Sequence, residues 1–283
     1  MSGFASKGRL CLCVQFTRVK FSGFLECIVE LGKMKIISWN VNGLRSVYKK
    51  GFVEWFYKAD PDILCLQEIK ANEDQLSFEL TYPKGYFPFF NSAGKKGYAG
   101  VAVYTKQKPL EARKVLGLTT FDSEGRILEL EFPEFILLNL YIPHGGRNKE
   151  KLIYKLAVYE SLFKKLSSMY TKQIVLTGDF NIAHEEIDLA RPKDNLNNIM
   201  FSPIERKQID KLVSLGFSDT FRKVNKEGGN YSWWPYRLGA RQRNLGWRID
   251  YVFTSKGLDS KLKEASIMAN VQGSDHCPVG ITF

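Results

Sequence analysis

Acidic and amide side chains stand directly after several apolar runs of this chain. Asn40, Glu68, Tyr141 and Asp179 each follow such a run, and Asn181 lies two residues beyond Asp179. Taken singly, each of the acidic and amide residues fits a turn or a cap, where Asn and Asp usually occur. Their repetition after nearly uncharged runs indicates one shared site, because strand ends in a rigid sheet aim side chains from several segments at one point.

The residue types at these positions favour metal-assisted hydrolysis. The set offers carboxylate and amide oxygens, one tyrosine and a late histidine, His276. Oxygen ligands suit Mg²⁺ or Mn²⁺ rather than Zn²⁺. The sequence has no glycine-rich phosphate loop of the nucleotide-binding kind, no Gly-x-Ser-x-Gly elbow and no cysteine in a recognisable nucleophile setting. Attack of water on a phosphate ester, assisted by a metal, is the chemistry that remains.

The elements that must position these residues are short strands with helices between some of them. Runs rich in β-branched and aromatic residues predict strands, several of them buried on both faces. The predicted strands are Lys35–Trp39, Asp62–Leu66, Tyr86–Phe90, Gly100–Tyr104, Ile127–Phe132, Phe135–Tyr141, Gln173–Thr177, Ile249–Thr254 and Val279–Phe283. Strand and helix are mixed along the whole chain, which predicts an α/β layered fold.

Helical periodicity appears in two long segments. Apolar residues recur at helical spacing over Leu44–Lys58 and over Lys149–Tyr170. A third helix is predicted to begin at Ser202, with Pro203 in its first turn and Glu205 closing a capping box. No linker, charge block or repeat interrupts the pattern from residue 34 onward, so residues 34–283 are predicted to form one domain.

Composition and charge point to a polyanionic partner. The 283 residues are 44% hydrophobic and 25% charged, with a formal net charge of +11. Such a surface favours nucleic acid first and anionic membrane second, although a merely basic soluble protein has the same balance. No run of about 18 apolar residues exists, so no transmembrane helix is expected. The five cysteines are irregularly spaced, which predicts no disulfide framework and a reducing, cytoplasmic location.

Residues 1–33 stand apart from the rest. They carry no acidic residue before Glu26 and show no clear helical or strand period. The segment fits a targeting peptide, a short accessory tail, or a stretch upstream of a true start at Met34. A dispensable extension, not necessarily translated, is the favoured interpretation, since the ordered pattern begins at once with Met34.

Several motifs, taken in order, resemble the exonuclease III-type AP endonucleases of the endonuclease/exonuclease/phosphatase superfamily. They are Ile37–Arg45, Leu66–Lys70, Tyr141–Pro143, Gly178–Asn181, Trp247–Tyr251 and Gly273–Pro278. Each motif alone is weak, but together they are specific, and they cover the chain from Met34 to its end. Their amino-acid sequences are most similar to those of archaeal and bacterial members of the family.

The resemblance implies a four-layer α/β sandwich of the DNase I-like class, in which two mixed β-sheets pack face to face with helices outside. It also implies a Mg²⁺ cofactor, for which Mn²⁺ is expected to substitute. Glu68 is the implied main ligand. The full implied ligand set is Asn40, Glu68, Asp179, Asn181 and Asp275.

Catalytic roles follow from the same resemblance. Asp179 is implied to orient or deprotonate the attacking water, or to protonate the leaving oxygen. Asn181 and Tyr141 are implied to contact the scissile phosphate, with Asn181 stabilising its extra negative charge. His276 is implied to bond a phosphate oxygen or to act as base, and Asp250 to orient it, as a carboxylate fixes a histidine tautomer.

A segment of aromatic and arginine residues, 231–251, indicates how the substrate is recognised. Aromatics interleaved with arginines fit base stacking and phosphate contact, or else a buried aromatic cluster with solvated arginines. By resemblance, Trp233, Trp247 and Ile249 line a small apolar pocket. A flipped-out sugar without its base fits such a pocket, and flipping is cheapest where no base is stacked or paired.

Four further DNA contacts are implied by resemblance. Arg147 and Arg237 match positions that insert into the DNA grooves, and Asn195 and Asn198 match amides that bind the backbone. Arg237 departs from relatives that carry an apolar wedge at this position. A long cation there predicts that damaged nucleotides which keep a base, such as deoxyuridine, are also extruded and cut.

The predicted function is therefore hydrolysis of the DNA phosphodiester bond 5′ to abasic sites in base excision repair, leaving a 3′-OH. 3′→5′ exonuclease and 3′-phosphodiesterase activities are expected beside it. The expected partner is double-stranded DNA with abasic or damaged sites, bound by a monomer, with no membrane partner. The alternatives are a phosphoesterase of the same fold acting on a non-DNA substrate, and a DNA-binding relative without catalysis.

Overall fold

The computed structural model describes residues 33–283, and the interpretations of residues 1–32 lie outside the described residues. Its strands are β1 (Lys35–Asn40), β2 (Ile63–Gln67), β3 (Phe87–Asn91), β4 (Val101–Thr105), β5 (Glu111–Arg113), β6 (Ile127–Glu131), β7 (Ile136–Tyr141), β8 (Ile174–Asp179), β9 (Phe217–Asp219), β10 (Asp250–Ser255), β11 (Glu264–Ile267) and β12 (Val279–Thr282). Its α-helices are α1 (Leu44–Tyr48), α2 (Phe52–Ala59), α3 (Phe78–Thr81), α4 (Thr119–Ser123), α5 (Leu152–Ser168), α6 (Pro192–Asn195), α7 (Pro203–Ser214) and α8 (Thr220–Val224). Each run predicted as a strand is a strand in the structure.

The strands form two six-stranded mixed sheets. The first sheet has the order β11-β12-β1-β2-β4-β3 and the second β5-β6-β7-β8-β10-β9. One pair in each sheet is parallel: β1 with β2, and β7 with β8. The carboxyl ends of these paired strands therefore lie side by side within each sheet.

The two sheets pack face to face around a shared apolar core. Alternate residues of each strand point to opposite faces, so Ile63 and Cys65 of β2 face the second sheet. Leu137 of β7 and Val175 of β8 meet them from the other side. This inner layer is what holds the two sheets, and the strand ends that they carry, in a fixed relation.

Helices cover both outer faces. The residues of β2 that alternate with the inner set, such as Leu64, pack against Val47 of α1 and Phe52 of α2. On the second sheet, Leu138 packs in one cluster with Leu162 of α5 and with residues of α7. The layers run helix, sheet, sheet, helix, as the α/β sandwich prediction requires.

Two helix predictions need comment. The capping box at Ser202 is present, with Pro203 in the first turn and Glu205 as its partner. The single helix predicted over Leu44–Lys58 is wrong: the structure has α1 and α2, separated at Gly51, whose φ of 87° is incompatible with a continuous helix. Among the helices of residues 33–283, none combines the length and the apolar character needed to cross a bilayer.

Candidate active site

Both parallel strand pairs end at the same place. Asn40 is the last residue of β1, and Glu68 comes directly after β2. Tyr141 and Asp179 are the last residues of β7 and β8 and are paired in register. Asp250, the first residue of antiparallel β10, lies opposite Asp179. The polar residues that follow the apolar runs thus come from both sheets and meet at one edge of the sandwich.

Asn40 joins the two halves of the cluster. Its side-chain Nδ2 donates to Glu68 Oε1 at 2.9 Å and to Asp179 Oδ2 at 2.8 Å. Glu68 belongs to the first sheet and Asp179 to the second, so one buried amide spans the seam between the sheets. Its own oxygen accepts from the backbone N–H of Asn42 at 3.0 Å, which fixes the orientation of the amide.

Asp179 is held by the loop that follows it. Asn181 donates to it twice, from the backbone N–H at 2.8 Å and from Nδ2 at 3.1 Å. Asn181 Nδ2 also donates to the carbonyl of Ile142 at 2.9 Å. This tight turn places Asn181 at a φ of 52°. It requires Gly178 before it, because any Cβ there would overlap the carbonyl oxygen of Leu140.

Asp179 is also an unusual acid. Burial, reinforced by the charge of neighbouring Asp250, raises the pKa of its carboxyl above the ordinary range, and Glu68 adds to the rise. The His276 charge and the Asn40 hydrogen bond act in the opposite direction. Such a carboxyl exchanges its proton closer to neutral pH than an exposed aspartate does.

His276 and Asp250 form a buried pair. Nδ1 of His276 lies 2.8 Å from Asp250 Oδ2. Burial works against the charged imidazolium, but the Asp250 carboxylate outweighs it and raises the pKa of His276 to about 10. The ring is therefore protonated at neutral pH. The other oxygen of Asp250, Oδ1, is buried and has no hydrogen-bond partner within residues 33–283.

Glu68 has a partner that the sequence analysis missed. Lys70 Nζ lies 2.7 Å from Glu68 Oε2. Burial opposes the charged form of Glu68, but Lys70 outweighs it and lowers the pKa of the carboxyl. Both residues have positive φ, 51° and 49°. The only signal in the sequence was the lysine two positions after the glutamate in Leu66–Lys70.

Asp275 lies at the end of a second chain of contacts. Lys70 also bonds the Asn42 side chain, and Asn42 Nδ2 donates to Asp275 Oδ1 at 2.9 Å. Asp275 Oδ2 accepts from the indole N–H of Trp233 at 3.1 Å. Asp275 is thus connected to the Glu68 cluster through other side chains.

Tyr141 is half-buried beside Glu68. Burial and the charge of Glu68 raise the pKa of its phenol, so the hydroxyl is a neutral donor. The guanidinium of Arg126 lies 4.3 Å from the centre of its ring and donates to its backbone carbonyl at 3.3 Å. Arg126 was not predicted from the sequence, because it directly precedes β6 and becomes a neighbour of Tyr141 only where β6 meets β7.

The donor set fits a divalent cation of the magnesium type. The carboxylate oxygens of Glu68 and Asp179 and a ring nitrogen of His276 all lie within 4.8 Å of one another. Oxygen donors suit Mg²⁺, and a cation here would relieve the repulsion between the two carboxylates. The raised pKa of His276 keeps its ring protonated at neutral pH, and a protonated imidazole has no free lone pair for a cation.

An open groove of about 1030 Å³ runs beside this cluster. Six of the residues predicted to bind DNA line it: Arg147, Asn195, Asn198, Trp233, Arg237 and Trp247. The rings of Trp233 and Trp247 are 6.5 Å apart, and Trp233 is 6.3 Å from the ring of His276. Ile249 is buried in the cluster beneath the two tryptophans. Asn198 Nδ2 donates to Asn195 Oδ1 at 2.8 Å, so the two amides form one unit.

The groove holds cations beyond the two arginines predicted to enter the DNA grooves. Lys149, Arg191 and Arg243 join Arg147 and Arg237 along its walls. A basic groove that leads to a carboxylate cluster suits a long polyanion whose phosphates are neutralised along the walls. The net charge of +11 agrees with such a partner.

Comparison with known proteins places this geometry in a family. A model described as the Endonuclease/Exonuclease/phosphatase family matches residues 37–276. The chain is 45% identical over 249 residues to the exodeoxyribonuclease of Bacillus subtilis (strain 168), covering 87% of this chain and 98% of that protein. It is 41% identical to the protein of Danio rerio named DNA repair nuclease APEX1, covering 87% of this chain and 81% of that protein.

Solved structures agree with the sequence relatives. The AP endonuclease from Archaeoglobus fulgidus superposes with a TM-score of 0.79 at 31% identity, covering 88% of this chain and 99% of that one. The two six-stranded mixed sheets are thus an architecture that this chain shares with it. These relatives carry the names of nucleases, and none of them supports a lipid or inositol phosphoesterase.

Proposed function

Because the chain belongs to the Endonuclease/Exonuclease/phosphatase family, we propose that it cuts the DNA phosphodiester bond 5′ to abasic sites and leaves a 3′-OH. It is a hydrolytic nuclease of the exodeoxyribonuclease and AP endonuclease type. The observation that supports abasic DNA as substrate is the position of Trp233. Its indole N–H bonds Asp275, and its ring lies 6.3 Å from His276.

The corner formed by the rings of Trp233 and Trp247 accounts for the proposed selectivity for a missing base. Trp233 and Trp247 stand nearly perpendicular, at an interplanar angle of 76°, at the edge of the carboxylate cluster. A bare deoxyribose offers apolar surface to such a corner, and it leaves the duplex cheaply because it has no base to unstack. Ile249 supports the corner from beneath through the buried cluster that it shares with Leu189 and Phe201.

Each residue of the cluster has a role in the proposed reaction. His276, protonated through Asp250, donates a hydrogen bond to a phosphate oxygen and stabilises the charge that grows in the transition state. Tyr141 donates to the same phosphate. Asn181 does so as well when its Nδ2 gives up one of its two acceptors in the free protein, Asp179 Oδ2 or the Ile142 carbonyl. Asp179, with its raised pKa, exchanges a proton with the attacking water or the leaving oxygen.

The proposed cofactor is Mg²⁺, with Mn²⁺ as a substitute. Its proposed ligands are Glu68 and Asp179, with Asn40, Asn181 and Asp275 close by. When bound, it supplies positive charge that polarises the phosphate and favours attack by water. Lys70 keeps Glu68 ionised and ready for the cation, because it lowers the pKa of that carboxyl.

The groove accounts for the proposed partner, double-stranded DNA bound by a monomer. Arg147 and Arg237 are proposed to enter the DNA grooves, and Asn195 and Asn198 to bond the sugar–phosphate backbone; all four line the groove. 3′→5′ exonuclease and 3′-phosphodiesterase activities are proposed for the same centre, since both break a phosphodiester bond at a 3′ end. Residues 34–283 form the proposed catalytic domain, in which Phe283 N–H donates to the Met34 carbonyl at 3.0 Å. The proposed location is the cytoplasm, at the nucleoid.

The test of this function is incision of a labelled duplex that contains one abasic-site analogue. We expect a single cut on the 5′ side of the lesion with Mg²⁺ or Mn²⁺, no cut with EDTA, and an undamaged duplex left whole at this position. The product should be extendable by a polymerase, which reports the 3′-OH. If both duplexes stay intact with either metal, abasic DNA is not the substrate.

Arg237 is the proposed determinant of damaged substrates that keep a base. Its long cation can fill the gap that an extruded nucleotide leaves, so Arg237→Ala should reduce incision at deoxyuridine by about tenfold or more, as for loss of a charged contact. Incision at the abasic analogue should fall less, because no base must be unstacked. Equal rates of wild type and variant on every damaged duplex would remove this role.

A further inference from the structure

Lys155 of α5 and Glu205 of α7 form an ion pair inside the protein. Their Nζ and Oε1 atoms are 2.6 Å apart, and both side chains are fully buried. Charged side chains are almost never buried in this way unless they are paired. Removing two charges from water is costly, and apolar residues often serve the fold equally well. We therefore expect the Lys155–Glu205 pair to have a role beyond packing, and the other hydrogen bonds of the two side chains indicate one.

The lysine end of the pair holds two loops of the active site. Lys155 Nζ donates to the backbone carbonyl of Asn181 at 2.6 Å and to that of His144 at 3.3 Å. The first carbonyl follows β8 and the second follows β7. With the Glu205 carboxylate, these contacts use all three ammonium hydrogens.

The glutamate end of the pair holds the wall of the groove. The Oε1 atom that contacts Lys155 also accepts from the backbone N–H of Met200 at 3.0 Å. Met200 has a φ of 71°, a conformation that needs support in a residue other than glycine. Met200 and Ile199 line the groove together with Asn195 and Asn198.

Close packing joins the two ends. Gly145 lies so near both that a Cβ there would be 2.7 Å from Ile199 Cδ1 and 3.3 Å from Lys155 Cδ. The loop after β7, the loop after β8 and the groove wall therefore meet around one buried ion pair. Arg147, which lies two residues beyond Gly145, is part of the same loop.

We propose that Lys155 and Glu205 are positioning residues that couple the groove wall to the Asn181 loop, so that DNA held in the groove presents its phosphate to Asn181. Neither residue touches the substrate. The inference rests on the proposed role of Asn181 and goes beyond it, because it assigns the alignment of binding and cutting to a pair outside the site. A displacement of about 1 Å at a reacting group costs on the order of a hundredfold in rate.

The variants are Lys155→Met, which keeps the length of the side chain without its charge, and Glu205→Gln, which keeps the shape. Leu162→Ala is the control, since Leu162 lies two turns further on the same helix and is buried in the apolar core without contact to the ion pair's hydrogen-bond partners. All proteins are compared at a temperature where melting curves show each one folded. If Lys155→Met does not fold, Glu205→Gln carries the test.

Two measurements separate positioning from a purely structural role. In single-turnover incision with Mg²⁺, we expect both variants to cut about tenfold to a hundredfold more slowly at saturating enzyme, while Leu162→Ala cuts within about threefold of wild type. In hydrogen exchange without DNA, both variants should lose protection in segments 179–184 and 196–202 together. Leu162→Ala should loosen α5 and at most the 179–184 segment, whose Phe180 and Ile182 share its cluster, and leave segment 196–202 protected.

The results that would overturn the coupling proposal differ from those that would show abasic DNA not to be the substrate. Variants that cut like Leu162→Ala, or that lose protection in only one of the two segments, show that the pair does not couple them. If wild-type protein leaves abasic DNA whole, the substrate proposal fails by itself. The hydrogen-exchange result needs no substrate and then decides the coupling.

Discussion

At the scale of single residues, the position of Asp179 suits the proposed chemistry but lowers the stability of the fold. Its carboxyl is buried beside Asp250 and Glu68, and its pKa is raised by that burial and repulsion. The ionised form is thus held where the fold disfavours it. Strained or destabilising groups of this kind mark functional sites, because the cost persists only where the chemistry needs it.

Asp179→Asn should therefore lose activity and gain stability. We expect kcat to fall by about 10²–10⁴-fold, as for loss of a proton-transfer group. Tm in EDTA at pH 8 should rise, because the amide removes a buried negative charge. Single-turnover incision and thermal melting measure the two effects, with Asp259→Asn as control, since Asp259 pairs with Lys223 outside the site. A fall in Tm together with activity would instead indicate misfolding.

His276 makes a prediction about pH. Its pKa is raised from about 6.5 when unfolded to about 10 in the fold. The stabilisation from its proton is complete below pH 6.5 and is lost as pH rises towards 10. The free energy of unfolding should fall across this window by up to about 1.4 kcal/mol per pH unit from this group.

Denaturant unfolding in EDTA at pH 6, 7, 8, 9 and 10 measures this slope. His276→Gln has no titrating ring, so the difference between wild type and variant isolates the histidine. Asp250→Asn, which removes the cause of the raised pKa, should flatten the same difference. Parallel curves for wild type and His276→Gln would contradict a protonated His276 at neutral pH.

The candidate ligands and acids were predictable from sequence, but their supports were not. Glu68 and Asp179 stand out because a charged residue directly after an apolar strand is visible in the sequence. Lys155 lies within the predicted helical segment Lys149–Tyr170, where it was not distinguished from the other lysines. Its position relative to Tyr159, Leu162 and Leu166 was the one available signal, since it lies on their apolar stripe. Its partner Glu205 is 50 residues away, and no local pattern relates them.

At the scale of elements, the long central strands were predicted and the short edge strands were not. β5, β9 and β11 have three or four residues each and are partly exposed. They pair through tertiary contact rather than through an apolar run, so single-sequence periodicity has little to detect. The division of Leu44–Lys58 into α1 and α2 has a related cause, because the φ of Gly51 overrides the apolar spacing.

At the scale of elements, a substitution of Gly178 tests why strand β8 needs a glycine directly before Asp179. Gly178 has a φ of 134°, and a Cβ would overlap the Leu140 carbonyl of the paired strand β7. Gly178→Ala should lower the free energy of unfolding by more than about 2 kcal/mol, since both strain and backbone overlap must be relieved. It should also abolish incision, because Asp179 follows directly.

The matched control for Gly178→Ala is Gly216→Ala. Gly216 also has a positive φ, 92°, but a Cβ there would meet nothing within 4 Å. Only the backbone strain remains, at about 1 kcal/mol, and incision should be unaffected. Denaturant unfolding and incision of the abasic duplex compare the two variants. Equal losses in both would mean that the approach to β7 is not the constraint.

At the scale of the whole molecule, charge and groove act together. The net charge of +11 attracts DNA from a distance, and the groove concentrates cations where the backbone must lie. Removing one cation that contacts phosphate should weaken binding to all sequences alike and reduce the dependence of affinity on salt.

Arg147→Ala tests this prediction. The slope of log K against log salt should become less steep by about one unit, as for loss of one phosphate contact. Anisotropy titrations of a labelled duplex in EDTA at several salt concentrations measure it. Lys164→Ala is the control, since Lys164 is exposed, pairs with Glu160 and lies on α5 rather than in the groove lining. The same change of slope in the control would assign the effect to net charge alone.

The order of the strands has a consequence for how the molecule can be divided. The second sheet is one uninterrupted stretch of chain from β5 to β10, whereas the first sheet takes β1–β4 from before it and β11 and β12 from after it. One stretch brings Asp179 and Asp250, and the flanking stretches bring Glu68 and His276. Neither part of the chain contains the whole cluster. Division of the chain between the sheets would therefore give three polypeptides, and incision of DNA would require all three to associate.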